Sequence, residues 1–183
     1  HSFSRKEAVT ANGAVTGETL ISESEAILLR ENTCCFTGHR VLPVSKEWLE
    51  AKLKATVEAL IERGYTRFCC GGALGFDTAA AIAVLRLKAV YPQIRLALFL
   101  PCPNQASRWS PENIRVYEAI KARADEVTTV CETYTRDCMF RRNRRLVDES
   151  SVCVCFLSSD HGGTAYTVNY ARKKGLEIIN LYT

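Results

Sequence analysis

Residues 141–167 read RRNRRLVDESSVCVCFLSSDHGGTAYT, and this stretch sets the expectation for both the fold and the site. A basic segment is followed by an apolar run at 152–157, which is typical of a strand covered on both faces. A short polar turn then leads into Gly162-Gly163-Thr164, which is typical of a helix start. The free N–H groups and the dipole of such a start attract anions. The stretch therefore predicts one wall of a pocket for a phosphate-bearing or nucleotide-like ligand.

The same strand, turn and helix pattern recurs along the chain. Residues 1–31 are predicted to form a flexible tail, with a short helix closed by residues 27–29 as the alternative, and residues 32–183 a single domain. The alternation predicts an α/β class fold: a three-layer, Rossmann-like domain with a mostly parallel sheet of about six strands and helices on both faces. The predicted strands lie at residues 33–36, 65–70, 94–100, 127–131, 152–157 and 176–181.

Composition narrows the function classes. The chain has 183 residues and a net charge of +4, which permits contact with anions without requiring it. No apolar run approaches the roughly 20 residues that a membrane-spanning helix needs, so no membrane partner is expected. The nine cysteines lack the spacing of zinc ligands. We therefore expect buried thiols in a reducing cytoplasm and no metal site.

Thr37-Gly38-His39-Arg40 directly follows the first predicted strand. Gly38 would let the backbone approach a ligand, and the Arg40 guanidinium suits a phosphate. His39 suits a hydrogen bond or acid–base chemistry. An ordinary turn with two solvated side chains explains this tetrapeptide equally well.

A second glycine turn, GGALG at residues 71–75, follows the second predicted strand. It resembles a phosphate-cradling turn, but it matches neither the dinucleotide-binding fingerprint nor a Walker loop. Asp77 lies near the start of the next helix. From spacing alone, capping of that helix is the simpler role for Asp77. The functional alternative is that its carboxylate holds a ribose hydroxyl or a base.

The arginines of the basic segment do not all point one way. On a helix, Arg141, Arg144 and Arg145 share a face, whereas Arg142 leans elsewhere. One interpretation is a solvated face that nearby acidic residues balance. In the functional interpretation, some of these arginines lie in the pocket together with Asn143. A bound anion there would offset the repulsion between the basic residues and the positive N-terminal end of the helix dipole.

Further polar residues fall on the same predicted edge of the sheet. Gln105 and Trp109 lie in the loop after the third strand, and Thr164 and Thr167 follow the glycine turn at residues 162–163. In parallel sheets, ligands bind beyond the carboxyl ends of the strands. The convergence of several turns on that edge supports a site better than any single motif does.

Taken together and in order, these motifs resemble the SLOG superfamily, and within it the bacterial YpsA-type family. The motifs are TGHR at 37–40, GGALGFDT at 71–78, Gln105 with Trp109, RNR at 142–144 and GGTAYT at 162–167. The resemblance covers residues 33–181 and implies a Rossmann-like fold with a nucleotide site at these loops. It also relates the chain to DprA, which binds single-stranded DNA, and to the LOG enzymes, which cleave the N-glycosidic bond of nucleoside monophosphates.

The enzymatic activity of the LOG proteins is not carried over to this chain. Those enzymes use a glutamate two residues after the Gly-Thr of their glycine turn, and that place is Tyr166 here. Glycosidic cleavage needs a carboxylate, and a tyrosine with a pKa of about 10 is a poor substitute. Asp77 and His39 are the remaining catalytic candidates.

We therefore expect a protein that binds a nucleotide-like ligand, such as ADP-ribose, NAD or a nucleoside monophosphate. A nucleotide N-glycosidase, or phosphoribohydrolase-like enzyme, is the first alternative, and a binder of single-stranded nucleic acid is the second. Helix faces of a domain this size also allow a homodimer. The predicted ligand-binding residues are Thr37, Gly38, His39, Arg40, Gly71, Gly72, Ala73, Gly75, Asp77, Gln105, Trp109, Arg142, Asn143, Arg144, Gly162, Gly163, Thr164 and Thr167.

Overall fold

The computed structural model describes residues 21–183 and, before them, only the backbone of two short antiparallel strands, β1 (Ala8–Val9) and β2 (Val15–Thr16). Most of the predicted flexible tail therefore lies outside the described residues. Its last part forms a helix, α1 (Glu23–Glu31), which Ser22 caps by accepting a hydrogen bond from the Glu25 N–H. This helix includes residues 27–29, which formed the alternative prediction for the tail.

Six strands form one parallel sheet in the order β6-β5-β4-β3-β7-β8. The prediction of an α/β fold with a parallel sheet of about six strands is thus confirmed, and the strands lie where the sequence placed them to within about two residues. Their bounds are β3 (Thr33–Gly38), β4 (Arg67–Cys70), β5 (Arg95–Leu100), β6 (Glu126–Thr129), β7 (Val152–Phe156) and β8 (Glu177–Asn180).

Two of the five helices between the strands begin after a serine whose hydroxyl caps the helix. The Ser45 hydroxyl accepts the Trp48 N–H at 3.1 Å, and the Ser110 hydroxyl accepts the Asn113 N–H at 3.2 Å. The five helices are α2 (Lys46–Glu62), α3 (Phe76–Lys88), α4 (Pro111–Arg123), α5 (Cys138–Asp148) and α6 (Gly163–Lys173). Among the described residues, no helix combines the length and the apolarity that crossing a bilayer would need.

Successive residues of each central strand contribute their side chains to two separate cores, one on each face of the sheet. The sheet and the helices on its two faces form the three layers. Cys34 and Phe36 of β3 lie in the core that contains residues of α2, α3 and α4. Cys35, between them in the sequence, lies in the second core with Leu146 of α5 and Val168 of α6. Because successive strand side chains point to opposite faces, this division follows directly from the pleat. The sheet is therefore covered on both faces, as predicted.

The strand order reverses between β3 and β7, which lie side by side with Gly38 paired to Phe156. From β3 the chain continues to β4 on one side, whereas from β7 it continues to β8 on the other. Such a reversal leaves a crevice at the carboxyl ends of the two strands, where ligands bind in open α/β sheets. The loops after β3 and β7 are thus brought to one place.

Candidate functional site

His39 connects three of the predicted loops. Its carbonyl accepts the Phe76 N–H at 3.1 Å, which joins the loop after β3 to the start of α3. Its ring atom Nε2 accepts the Ser158 N–H at 3.1 Å, which joins the same loop to the one after β7. Because Nε2 acts as the acceptor, the ring proton of a neutral imidazole lies on Nδ1. His39 therefore holds the edge of the sheet together across the strand reversal.

Gly38 and Gly75, which are predicted ligand-binding residues, make room for other parts of the protein itself. A Cβ atom at Gly38 would overlap the Phe76 side chain, and a Cβ atom at Gly75 would overlap the Arg40 carbonyl. Gly75 also has a φ of 79°, which favours glycine. These glycines let the turn at residues 71–75 pack against the loop after β3. Their contact with a ligand stays a prediction.

Asp77 lies in the first turn of α3 and is buried, with 7% of the residue exposed. Its Oδ2 atom accepts the Ala73 N–H at 3.2 Å, so the carboxylate closes the glycine turn rather than capping the helix from its N-cap position, which is Gly75. Burial raises the pKa of Asp77, and the nearby Arg142 guanidinium partly opposes that rise. The described contacts give Asp77 a supporting role beneath the turn.

Arg142 is buried with 5% exposed, although it belongs to the most basic segment of the chain. Its Nη1 atom donates to the carbonyls of Gly71 and Phe99, and its Nε atom donates to the Asn143 Oδ1 at 2.8 Å. Burial lowers the pKa of Arg142, and Asp77 opposes this change. These atoms already donate hydrogen bonds within the protein, so a direct contact between Arg142 and a ligand stays a prediction.

The loop after β5 contributes Gln105 to the same edge. Its Nε2 atom donates to the carbonyls of Gly71 and Gly72, at 3.3 and 3.5 Å, and its Oε1 atom is buried without a hydrogen-bond partner in the described structure. Trp109 lies further along the same loop, with its ring centroid 5.2 Å from that of Tyr117. The structure therefore brings Gln105 to the glycine turn, whereas Trp109 packs against α4.

The turn at Gly162 and Gly163 is open, in contrast to the other glycine turns. A Cβ atom at either residue would have nothing within 4 Å, and no side chain caps α6. Thr164 and Thr167 are buried, and the Thr167 hydroxyl donates to the Gly163 carbonyl at 2.9 Å. The accessible polar groups of this turn are therefore backbone groups at the N-terminus of an 11-residue helix.

Arg40 and Arg144 lie at this edge, and the described part of the chain gives them no acidic partner. Arg40 is exposed and Arg144 is half-buried. Within residues 21–183, neither of them forms an ion pair with a carboxylate. Arg144 instead donates from Nη1 to the Tyr166 hydroxyl at 3.0 Å, which raises the pKa of Arg144. Tyr166 thus occupies the position two residues after the Gly-Thr pair, with its hydroxyl bound to an arginine.

Sequence reasoning missed several residues that shape the site. Phe76 fills the space beside Gly38, and Ser158 binds His39 through its backbone N–H. Asn180 fixes the end of β7, because its side-chain amide bonds both the N–H and the carbonyl of Leu157 at 3.0 Å. These contacts depend on backbone groups and on distant partners, so no local sequence signal identifies them.

The open parallel sheet, with glycine turns at its carboxyl edge beside the strand reversal, defines a Rossmann-like α/β domain. The YspA SLOG family model matches residues 43–179, and the chain belongs to this family. The resemblance to the SLOG superfamily is thus confirmed. The match begins after the TGHR motif at residues 37–40 and includes the other quoted motifs.

Relatives with similar sequences occur in Bacillus species. The chain is 30% identical over 120 residues to a UPF0398 protein of Bacillus pumilus (strain SAFR-032), and this alignment covers 64% of each chain. It is 29% identical over 140 residues to a UPF0398 protein of Bacillus thuringiensis (strain Al Hakam), covering 75% of this chain and 76% of the relative. The first alignment thus spans slightly less than two thirds of its relative.

Two solved structures of DNA processing protein A share the fold. The Helicobacter pylori protein, reported with its single-stranded DNA binding mode, matches with a TM-score of 0.58 and 16% identity, over 86% of this chain and 68% of that protein. The Streptococcus pneumoniae protein (DprA) matches with a TM-score of 0.59 and 19% identity, over 82% of this chain and 50% of that protein. At these identities the likeness concerns the fold alone.

Proposed function

We propose that this chain binds a nucleotide or nucleotide-derived small molecule at the carboxyl edge of its sheet, between the loops after β3 and β7. The observation that carries the proposal is an open helix N-terminus at Gly162 and Gly163 on the same edge of the sheet as Arg40 and Arg144, neither of which forms an ion pair with a carboxylate within residues 21–183. Backbone N–H groups and unpaired guanidinium groups are the donors that phosphates use. The ligand classes that fit are ADP-ribose, NAD and nucleoside monophosphates.

Residues around the crevice offer hydrogen-bonding groups to a ligand that carries polar groups in addition to its phosphate. The Oε1 atom of Gln105 is buried and has no partner in the described structure, and a ribose hydroxyl would satisfy it once this side chain turns toward the crevice. Membership of a SLOG family and the fold shared with DNA processing protein A are consistent with a nucleotide-related role. We further propose a cytoplasmic location, because all nine cysteines are free and buried.

We propose binding without catalysis. Both catalytic candidates are engaged within the protein: Asp77 accepts the Ala73 N–H, and His39 accepts the Ser158 N–H. Incubation with nucleoside monophosphates, followed by chromatography for free base, tests this part of the proposal. Release of base in proportion to protein concentration, lost in Asp77→Asn, would instead identify a nucleotide N-glycosidase.

The first prediction concerns Arg40. The wild-type chain is expected to bind at least one of AMP, NAD and ADP-ribose in calorimetry, and Arg40→Met to weaken that binding about 10-fold, because one charge-assisted phosphate contact is lost. Arg123→Met is the matched control. Arg123 ends α4 and precedes β6, so it lies at the opposite, amino edge of the sheet. No heat from any of the three ligands, or an equal loss in both variants, would contradict the proposal.

Single-stranded DNA is the second candidate ligand. The observation that favours it is the fold shared with DNA processing protein A of Helicobacter pylori, together with the arginines at the carboxyl edge. Phosphate contacts make such binding strongly dependent on salt. Gel shifts with oligonucleotides at low and at physiological salt test this candidate, and the absence of a shift even at low salt would exclude it.

A further inference from the structure

Phe140 of α5 and Tyr166 of α6 form an aromatic pair at the surface. Their ring centroids are 4.7 Å apart with the planes at 75°, yet the two residues are 39% and 36% exposed. Neither residue belongs to the two hydrophobic cores. Contact between the rings alone therefore leaves a substantial aromatic surface in water, which the packing of the domain does not use.

Tyr166 lies one helical turn from the open glycines. Its backbone N–H donates to the Gly162 carbonyl at 3.0 Å. Long side chains on a helix lean toward its N-terminus and cover the preceding turn. The ring of Tyr166 therefore lies beside the backbone groups that would hold a phosphate, at a distance of about one turn, or 5 Å, along the helix. This separation suits a ligand that carries a phosphate at one end and a flat ring at the other.

Arg144 gives the tyrosine a defined position. Its Nη1 atom donates to the Tyr166 hydroxyl at 3.0 Å, so the ring is held at its far end by α5 and at its base by α6. The same bond places a guanidinium group at the margin of the ring. Aromatic rings combined with arginine groups are the surfaces on which nucleobases stack.

We infer that Tyr166, supported by Phe140 and Arg144, stacks on the base of the bound nucleotide, so that the site selects ligands with an intact base over sugar phosphates. The inference rests on the proposed function and adds to it the specificity-determining residue. Stacking of this kind does not depend on which base is present, because every base has a flat face. Purine and pyrimidine nucleotides are thus both accepted, with purines favoured by their larger area.

The test compares AMP, UMP and ribose 5-phosphate by calorimetry in the wild-type chain and in variants. The wild type is expected to bind AMP at least about 10-fold more tightly than ribose 5-phosphate. Tyr166→Leu keeps an apolar side chain and should lower AMP affinity about 10-fold, while changing ribose 5-phosphate affinity less than about 2-fold. Tyr166→Phe keeps the ring and should retain most of the preference for AMP.

Tyr170→Leu is the matched control, since Tyr170 lies on the same helix one turn further from its N-terminus and donates to the Asp148 carboxylate at 2.7 Å. It should leave both affinities unchanged. If the wild type binds AMP and ribose 5-phosphate equally, or if Tyr166→Leu weakens both alike, the inference fails and nucleotide binding stands. If the wild type binds NAD or ADP-ribose but none of these three compounds, the inference alone fails. If it binds none of the five, the inference and the proposed function both fail.

Discussion

Replacement of Gly75 by alanine is expected to lower the free energy of unfolding by about 3 kcal/mol, because it combines two penalties. The φ of 79° at this position disfavours any residue with a Cβ atom. The new Cβ would also overlap the Arg40 carbonyl, which is a backbone group and cannot rotate away as a side chain would. Urea unfolding followed by tryptophan fluorescence measures the loss, since Trp48 and Trp109 both pack against the core.

Gly64→Ala provides the matched control for this prediction. Gly64 has a φ of 95°, but a Cβ atom there would have nothing within 4 Å. Only the conformational penalty of about 1–2 kcal/mol then applies. The difference between the two variants isolates the close approach of the turn at residues 71–75 to the loop after β3. Equal losses in the two variants would show that these loops are not in contact in solution.

Local signals explain why the fold was predictable from the sequence. Ser45 and Ser110 precede their helices at the N-cap position, and each accepts the expected backbone N–H. The cysteine-rich run of β7 is buried throughout, as a continuous apolar run in a parallel sheet should be. The order of the strands carried no such signal, because it depends on pairings between residues far apart in the chain. The sequence alone therefore did not locate the strand reversal between β3 and β7.

The candidate site was predictable only in part, and Arg142 shows why. Helical spacing correctly separated Arg142 from Arg141, Arg144 and Arg145, since it alone of the four is buried. Spacing does not reveal that the buried guanidinium donates to the carbonyls of Gly71 and Phe99, because both are backbone acceptors on other elements. Glycine turns are similarly ambiguous. The sequence cannot distinguish a glycine that admits a ligand from one that admits a neighbouring loop, such as Gly38.

Replacement of Arg142 by methionine is expected to have the largest effect, a loss of about 4 kcal/mol in the free energy of unfolding. Methionine keeps much of the side-chain length, so the change acts mainly on charge and hydrogen bonding. The Gly71 and Phe99 carbonyls lose a donor, and the buried Asp77 carboxylate loses the cation that most favours its charged form. Arg141→Met is the control. Arg141 is exposed, and its loss should cost less than about 1 kcal/mol.

The pH dependence of this loss identifies its cause. Burial raises the pKa of Asp77 above its ordinary value of 3.8, so the folded chain holds this proton more tightly than the unfolded chain does. The contribution of Asp77 to stability is therefore greatest below about pH 4 and decreases as the pH rises through its folded pKa. Without Arg142 that pKa rises further, because the guanidinium opposes the effect of burial. The deficit of Arg142→Met should accordingly be larger at pH 7 than at pH 5.

A double variant separates the charge of Asp77 from the lost hydrogen bonds. Asp77→Asn in the Arg142→Met background removes the unpaired carboxylate and keeps a group of the same shape beside the Ala73 N–H. We expect it to recover about half of the loss at pH 7 and to abolish the difference between pH 7 and pH 5. Urea unfolding of the four chains at both pH values provides the cycle. A deficit that is independent of pH, or no recovery in the double variant, would show that Arg142 acts on the glycine turn through its carbonyl contacts alone.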